Sequence, residues 1–271
     1  MSLLKAYCDR LNISITDYSM SLDFLNQLHL KHCFTIPFEN LSIMLGKFPS
    51  LEKEDLRHKI LVKNHGGYCF ELNGLLYELL KELGFEVHCL CARILFGSVR
   101  VSYRSHQILL LRFEGQNYIL DVGYRSGILM PLPLIFNKVV EQHSECFRFL
   151  ENSNNQGFQN EIVLQKKILG TWENLYSFYL MPYEPIDFKP LNYCTATLPN
   201  STFTSKRIVS HKTVTGSKSL LDNILVELKN GVKSEKHIQT SGLYTEILAD
   251  DFGINITQQE GDVLFGMGKN A

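Results

Sequence analysis

One cysteine in this chain has a setting in which a thiol could act as a nucleophile. Cys69 lies in the stretch NHGGYCFELNGLLYELL, just after the pair Gly66-Gly67 and at the start of a run that predicts a helix. The free N–H groups and the positive dipole end of a helix start stabilise a thiolate. Two glycines allow a sharp turn and the close approach of a ligand. Because most free cysteines are inert buried side chains, nucleophilic catalysis by Cys69 also requires a base nearby.

The usual base for such a thiol is a histidine that a third polar group orients. His106 differs from the other histidines because it begins HQILLLRF, which predicts a strand. Asp121 ends a second predicted strand, in NYILDVGY, where an unpaired buried carboxylate would be costly. Most of the other histidines are predicted to be surface residues (His29, His32, His58, His143), to lie near loops (His211, His237) or to be structural (His88).

The length of the turn between these two strands decides whether His106 and Asp121 can meet. The strands are separated by FEGQ, which is a hairpin signal. If Glu114 and Gly115 form a two-residue turn, position 106 pairs with 123 and position 121 with 108. The two side chains are then diagonal neighbours on one face of the hairpin. A three-residue turn would place them on opposite faces, and the sequence leaves both arrangements open.

The elements that must position these residues change along the chain. The first third predicts helices over residues 21–33 and 51–64, and from Phe70 to the stop at Gly84. In the middle third, β-branched and aromatic residues with short turns predict an antiparallel sheet or barrel from about residue 87 to about residue 192.

The last third predicts a mixture of strands and helix. Residues 201–214 and 219–231 favour strands, the second range around a polar turn, and residues 241–254 favour a helix. No internal repeat or low-complexity segment is present.

Composition indicates the class of protein. The chain has 271 residues, 45% of them hydrophobic and 20% charged, which is typical of a globular protein with an ample core. A net charge of −1 without a basic stripe argues against nucleic acid or an anionic membrane as the main partner. Seven irregularly spaced cysteines, no signal peptide and no long apolar run predict a cytoplasmic protein with reduced thiols. The pair Cys89 and Cys91 lacks a second pair at a zinc spacing, so we expect no metal.

Several pieces of the sequence resemble the arylamine N-acetyltransferase family, and they occur in the family's order. They are IPFENL (36–41), GGYCFELN (66–73), SHQILLL (105–111), YILDVG (118–123) and the strand-like ATLPNSTFTSK (196–206). The similarity extends from about residue 20 to about residue 255.

The resemblance implies an α+β fold with three domains. These are an N-terminal helical bundle (1–86) that carries the nucleophile, a central antiparallel β-barrel (87–192) and a C-terminal α/β lid (193–271). The catalytic core of this family is related to that of papain-like cysteine proteases.

The resemblance also implies an activity and a set of site residues. In a bacterial-type enzyme of this family, Cys69 would accept the acetyl group, His106 would be its base and Asp121 would orient the base. Acetyl-CoA, as co-substrate, acetylates the cysteine, CoA leaves, and an arylamine, hydrazine or hydroxylamine takes the acetyl group. The implied substrate-binding residues are Phe38, Tyr124 and Arg125, and the implied CoA-binding residues are Ser102, Gly123 and Ser201.

Two positions depart from the family pattern. His65 precedes the glycine pair where the family usually has arginine, whose fork of hydrogen bonds an imidazole cannot reproduce. Arg125 stands where the family usually has the last glycine of Gly-Phe-Gly. A long cation there could narrow the acceptor pocket, favour an anionic acceptor or contact a CoA phosphate. Two alternatives therefore stay open: a related Cys-His-Asp acyltransferase or amide synthase with another acceptor, and a catalytically weak homologue that binds a ligand.

Overall fold

The structure, a computed structural model, describes residues 2–97, 102–152 and 160–267. The N-terminal part is helical, as its sequence predicts. Its elements are α1 (Leu3–Leu11), α2 (Leu22–Thr35), the short strand β1 (Phe38–Glu39), α3 (Leu41–Met44), α4 (Lys53–Arg57), a π-helical turn (His58–Val62) and α5 (Cys69–Glu82). Within the described ranges, no helix combines the length and the apolar character needed to cross a membrane.

The middle of the chain forms an eight-stranded antiparallel sheet that curls into a nearly closed barrel. Its strands are β2 (Glu86–Ile94), β3 (His106–Phe113), β4 (Gln116–Leu120), β5 (Leu132–Pro133), β6 (Val140–Gln142), β7 (Glu145–Asn152), β8 (Glu161–Ile168) and β9 (Thr171–Phe178). Their spatial order is β5-β4-β3-β2-β9-β8-β7-β6. Strands β2, β3 and β4 follow one another in sequence and in space, so each is joined to the next without a crossover.

The C-terminal part combines helices with a second antiparallel sheet. Its elements are α6 (Phe188–Thr197), α7 (Thr202–Ser205), β10 (Ile208–Thr213), β11 (Gly216–Leu221), β12 (Ile224–Lys229), β13 (Val232–His237), α8 (Ser241–Phe252) and α9 (Gln258–Gly266). The strand order is β1-β10-β11-β12-β13, so the N-terminal strand β1 forms one edge of this sheet. The predicted α+β class, with a helical N-terminal part, a central antiparallel barrel and a C-terminal α/β part, is confirmed. The barrel ends earlier than the predicted residue 192, because its last strand ends at Phe178 and α6 begins at Phe188.

Helix α5 carries the cysteine and is packed between the helical part and the barrel. The leucines at helical spacing are all fully buried, namely Leu72, Leu75, Leu76, Leu79 and Leu80. Each such burial stabilises the fold by about 1.5–3 kcal/mol, so tertiary packing fixes where the helix lies. Gly84 follows the helix with a φ of +84°, a left-handed conformation that glycine adopts without strain. The predicted helix is therefore confirmed at both ends.

One predicted strand is wrong. Residues 196–206 contain the end of α6 and the short helix α7 instead of a strand. The Ser201 hydroxyl accepts a hydrogen bond from the Phe203 N–H at 3.2 Å and so caps α7. Serine and threonine satisfy free N–H groups at helix starts, and this local bonding prevails over the strand preference of Thr and Phe. The strands predicted in 219–231 are confirmed, with Asp222 at a φ of +51° in the turn between them.

Candidate active site

The glycine pair lets another backbone segment pack directly behind Cys69. The Glu39 N–H donates to the Gly67 carbonyl at 2.9 Å, and the Gly67 N–H donates to the Pro37 carbonyl at 3.3 Å. A Cβ at Gly66 would collide with the Pro37 carbonyl, and one at Gly67 would lie 2.8 Å from the Glu71 side chain. Neither glycine has a positive φ among the described backbone, so what each supplies is room. Cys69 itself is 4% exposed and begins α5.

The hairpin turn brings His106 and Asp121 together. Phe113 pairs with Gln116, and the intervening Glu114 and Gly115 have φ values of +48° and +77°, as a two-residue turn of type I′ requires. In this register His106 Nε2 lies 2.7 Å from Asp121 Oδ2. The two-residue turn is therefore confirmed, and both side chains are on one face.

The carboxylate of Asp121 controls the charge of His106. Burial alone would lower the pKa of His106, but the charge of Asp121, the hydrogen bond to it and the contact with Cys69 together raise that pKa to about 10. The ring is consequently an imidazolium at neutral pH. Since Nε2 faces Asp121, Nδ1 is the nitrogen left for Cys69, whose Sγ also lies 3.6 Å from the Ser105 carbonyl oxygen.

Asp121 is fixed by the backbone of Gly123 and by Asn73, a residue that the sequence did not single out. Its Oδ1 accepts hydrogen bonds from Asn73 Nδ2 and from the Gly123 N–H, each at 2.9 Å. Asn73 lies four residues after Cys69 on α5, so it follows the cysteine by about one helical turn. Its side chain also accepts from the Val122 N–H at 2.9 Å and donates to the Gln107 carbonyl at 2.7 Å. The helix that carries the thiol thus also aligns the strand ends that carry the base and the acid.

The prediction that His29 and His32 are surface residues is wrong. They are 1% and 0% exposed, because α2 packs against α1 and β10, and the segment that follows β4 covers His29. The Asp121 N–H donates to His29 Nε2 at 3.1 Å, so Nε2 carries no proton, and Nδ1 donates to the Leu129 carbonyl at 2.9 Å. Burial lowers the pKa of His29 to about 4, which keeps the ring neutral in this tautomer. His58 and His143 are exposed, as predicted.

A cavity of about 420 Å³ opens onto Cys69 and His106. All of the residues predicted to bind acceptor or CoA line it, namely Phe38, Ser102, Gly123, Tyr124, Arg125 and Ser201. Asp121 is fully buried behind His106 and does not line the cavity. The structure therefore brings eight of the nine predicted site residues to one cavity and places the ninth directly behind them.

Aromatic rings and one cation define the character of this cavity. The rings of Tyr124 and His106 lie 5.4 Å apart, and those of Phe38 and Phe203 lie 5.9 Å apart. Among its described lining residues, none is Asp or Glu. Arg125 is exposed, and within residues 2–97, 102–152 and 160–267 its guanidinium has no acidic partner. The cavity can therefore hold a flat ring next to an available positive charge.

Two of the predicted CoA contacts have structural duties as well. A Cβ at position 123 would lie 2.6 Å from the Cys69 Cα, so only glycine fits between the aspartate strand and the cysteine helix. The Ser201 hydroxyl donates to the Thr195 carbonyl at 2.6 Å in addition to capping α7. The Ser201 hydroxyl oxygen therefore has one lone pair left with which to accept a hydrogen bond from a ligand.

The chain is similar to N-acetyltransferases in sequence and in structure. The model of a family described as N-acetyltransferase matches residues 21–261. An arylamine N-acetyltransferase from Escherichia coli (strain K12) is 30% identical over 259 residues, which cover 94% of this chain and 89% of the relative. The solved structure of the arylamine N-acetyltransferase from Salmonella typhimurium has a TM-score of 0.90 at 26% identity and covers 98% of both chains. The corresponding structure from Mycobacterium abscessus has a TM-score of 0.90 at 25% identity and covers 99% of this chain and 95% of its own.

Proposed function

The chain belongs to the arylamine N-acetyltransferase family, and on this premise we propose that it moves the acetyl group of acetyl-CoA to an arylamine, hydrazine or hydroxylamine. The acetyl group passes through a thioester on Cys69. The observation that carries this proposal is the contact of Cys69 with a charged His106, backed by Asp121, at the wall of a 420 Å³ cavity. A thiol beside an imidazolium is the arrangement that acyl transfer through a cysteine needs.

In the first half-reaction the thiolate of Cys69 attacks the thioester carbonyl of acetyl-CoA. The resulting tetrahedral intermediate collapses with cleavage of the bond between the carbonyl carbon and the CoA sulfur. The imidazolium of His106 gives its proton to the departing CoA thiolate. Cys69 now carries the acetyl group, and His106 is neutral and able to act as a base.

In the second half-reaction the amine attacks the acetyl group on Cys69. An arylamine is a weak base that is uncharged at pH 7, so it needs no prior deprotonation. His106 takes the proton that the nitrogen loses, and Cys69 leaves as a thiolate, which restores the ion pair. Asp121 stabilises the charged ring and keeps Nδ1 directed at the sulfur in both halves.

Each predicted contact residue has a proposed role in this cavity. Phe38 and Tyr124 provide the aromatic walls for the flat ring of the acceptor. Arg125 binds an anion, either a carboxylate on the acceptor or a phosphate of CoA, since its positive charge has no acidic partner among the described residues. Ser102, Gly123 and Ser201 contact CoA. The domain boundaries at residues 86 and 192 also remain our proposal.

The test is intact-protein mass spectrometry after mixing with acetyl-CoA, followed by addition of an arylamine. We expect the gain of one acetyl group on the wild type, its loss when the arylamine is added, and no gain on Cys69→Ser. Acetylation that no arylamine, hydrazine or hydroxylamine removes would indicate another acceptor class. A thiol that acetyl-CoA leaves unmodified would refute the proposal and favour a ligand-binding homologue.

A further inference from the structure

Lys59 is a largely buried cation that the mechanism above does not use. It lies in the π-helical turn that follows α4, and its side chain is 22% exposed. Its Nζ is 2.8 Å from Glu71 Oε1 and 3.0 Å from Glu39 Oε1. Both glutamates are buried, at 2% and 0% exposed. One ammonium therefore bridges two carboxylates that are closed off from water.

The two carboxylates hold the segments on either side of the nucleophile. Glu71, in the first turn of α5, accepts the N–H of Tyr68, the residue before Cys69, at 3.0 Å through Oε2. Glu39, which follows the cavity residue Phe38, accepts the Leu41 N–H at 2.6 Å. Lys59 thus connects the start of the cysteine helix to the segment that carries an aromatic wall of the cavity.

The charge on Lys59 is what makes this arrangement stable. Burial opposes charge on each member of the cluster, but the two carboxylates raise the pKa of Lys59 above its usual value, so the ammonium stays protonated. Without it, two buried carboxylates would face each other unpaired, and a carboxylate in that state takes up a proton or moves toward water. Movement of Glu71 toward water would release the Tyr68 N–H, and protonation of Glu71 would weaken the hydrogen bond from it, so either response would loosen the turn in which Cys69 lies.

His65 does not supply this charge. It stands where the family usually has arginine, but burial lowers the pKa of His65, so its ring is mostly neutral at pH 7. The His65 N–H donates to the Lys59 carbonyl at 3.1 Å, and a Cβ at the next residue, Gly66, would lie 3.0 Å from Cγ of Glu39. Position 65 is therefore close to both members of this ion pair, and a permanent cation there could act on Glu39 as Lys59 does.

We propose that Lys59 is a positioning residue for Cys69, and that a permanent cation at position 65 could take over this role. The proposal rests on the proposed function only in naming Cys69 as the nucleophile. Lys59 contacts neither substrate nor the reacting atoms. It acts by fixing the helix start and by balancing the charge of Glu71, which lies two residues from the thiol.

The experiment compares wild type, Lys59→Met and the double variant Lys59→Met/His65→Arg. The first readout is the rate at which iodoacetamide alkylates Cys69 at pH 7, since it needs neither CoA nor an acceptor. The second is the rate of Cys69 acetylation in a single turnover. We expect both to fall at least tenfold in Lys59→Met and to return to within threefold of wild type in the double variant, since small displacements at a reacting centre have effects of this size.

Ile162→Ala is the matched control, because it opens a buried site in the barrel away from Lys59 and lowers stability in a comparable way. We expect its Cys69 to react at the wild-type rate at temperatures where the variant is folded. A folded Lys59→Met protein with wild-type alkylation overturns the proposal. If Lys59→Met does not fold, the double variant decides: normal reactivity supports the proposal, and slow alkylation or failure to fold overturns it. If acetyl-CoA does not acetylate the wild type, the proposed function is refuted. Slow alkylation of Cys69 in Lys59→Met would still support the positioning role in that case.

Discussion

Replacing Asp121 with asparagine should invert the hydrogen bonding of the catalytic ring while leaving the fold in place. In the wild type, Oδ1 accepts from two N–H donors, Asn73 Nδ2 and the Gly123 backbone. An asparagine at 121 must keep its carbonyl oxygen toward these donors, so its NH₂ group faces His106 Nε2. That nitrogen then has to accept, which places the ring proton on Nδ1 and directs an N–H at Cys69.

The size of the effect follows from the charge that Asp121 stabilises. The pKa of His106 rises from 6.5 to about 10 against the opposing effect of burial. At about 1.4 kcal/mol for each tenfold change, this corresponds to about 5 kcal/mol in favour of the charged ring. Losing it at pH 7 should lower acetyl transfer by about a thousandfold or more, similar to the loss of about 10⁴ seen when a triad aspartate becomes asparagine elsewhere.

The assay combines turnover, alkylation and stability. CoA release from acetyl-CoA with an arylamine gives the rate, and iodoacetamide labelling of Cys69 at pH 7 reports its reactivity. We expect labelling to be at least tenfold slower in Asp121→Asn than in the wild type, since the variant lacks the charge that stabilises the imidazolium. Asp251→Asn is the control, because it also neutralises a partly buried, ion-paired aspartate, at a distance from the site. A folded Asp121→Asn variant that keeps a tenth or more of wild-type turnover would refute this reasoning.

Three further predictions concern single side chains. At neutral pH, iodoacetamide should modify Cys69 well before Cys89, whose pKa burial raises to about 12, and equal labelling of the two would contradict an activated site. Arg125→Gly should raise KM for acetyl-CoA or for acceptors with a carboxylate, and should make that KM insensitive to salt. Faster turnover of bulky neutral amines alone would instead show that Arg125 narrows the pocket. If kcat and KM all stay within about twofold of wild type, Arg125 has no part in specificity. Because His29 has a pKa of about 4 when folded and 6.5 when unfolded, the unfolded chain binds its proton first on acidification, so stability falls between pH 6.5 and pH 4. The difference in unfolding free energy between wild type and His29→Gln should therefore shrink by about 3 kcal/mol between pH 7 and pH 4. A constant difference in denaturant titrations would show that His29 has the same pKa in the folded and unfolded states and would refute the prediction.

Much of the candidate site could be predicted because its positions depend on local rules. The leucine spacing of α5 and the glycine after it fix a helix that begins at Cys69. The Glu-Gly turn fixes the hairpin register, and the register in turn places His106 beside Asp121. The helix start and the hairpin register each depend on residues that are close in sequence, so both can be predicted from the sequence alone.

The residues that the sequence did not reveal depend on packing between distant segments. Asn73 is one polar side chain in a leucine-rich helix, and only the approach of β3 and β4 gives it three partners. His29 looks like a surface residue because α2 has polar residues on several sides, yet the segment that follows β4 covers the side that carries it. The sequence does carry a signal for Asn73, since an unpaired amide on an apolar helix face would be costly.

The pairing of β1 with β10 has a consequence for how the enzyme is made. Phe38, a wall of the cavity, pairs with Ser210, so the cavity around Cys69 remains open on one side until the last quarter of the chain has been translated. At roughly 5–20 residues per second, the ribosome reaches Ser210 on the order of ten seconds after Cys69. During that interval the glycine pair, the cysteine helix and the hairpin can form, but the sheet edge that receives β1 does not yet exist. Biosynthesis therefore separates in time the appearance of the thiol from the completion of the cavity in which it reacts.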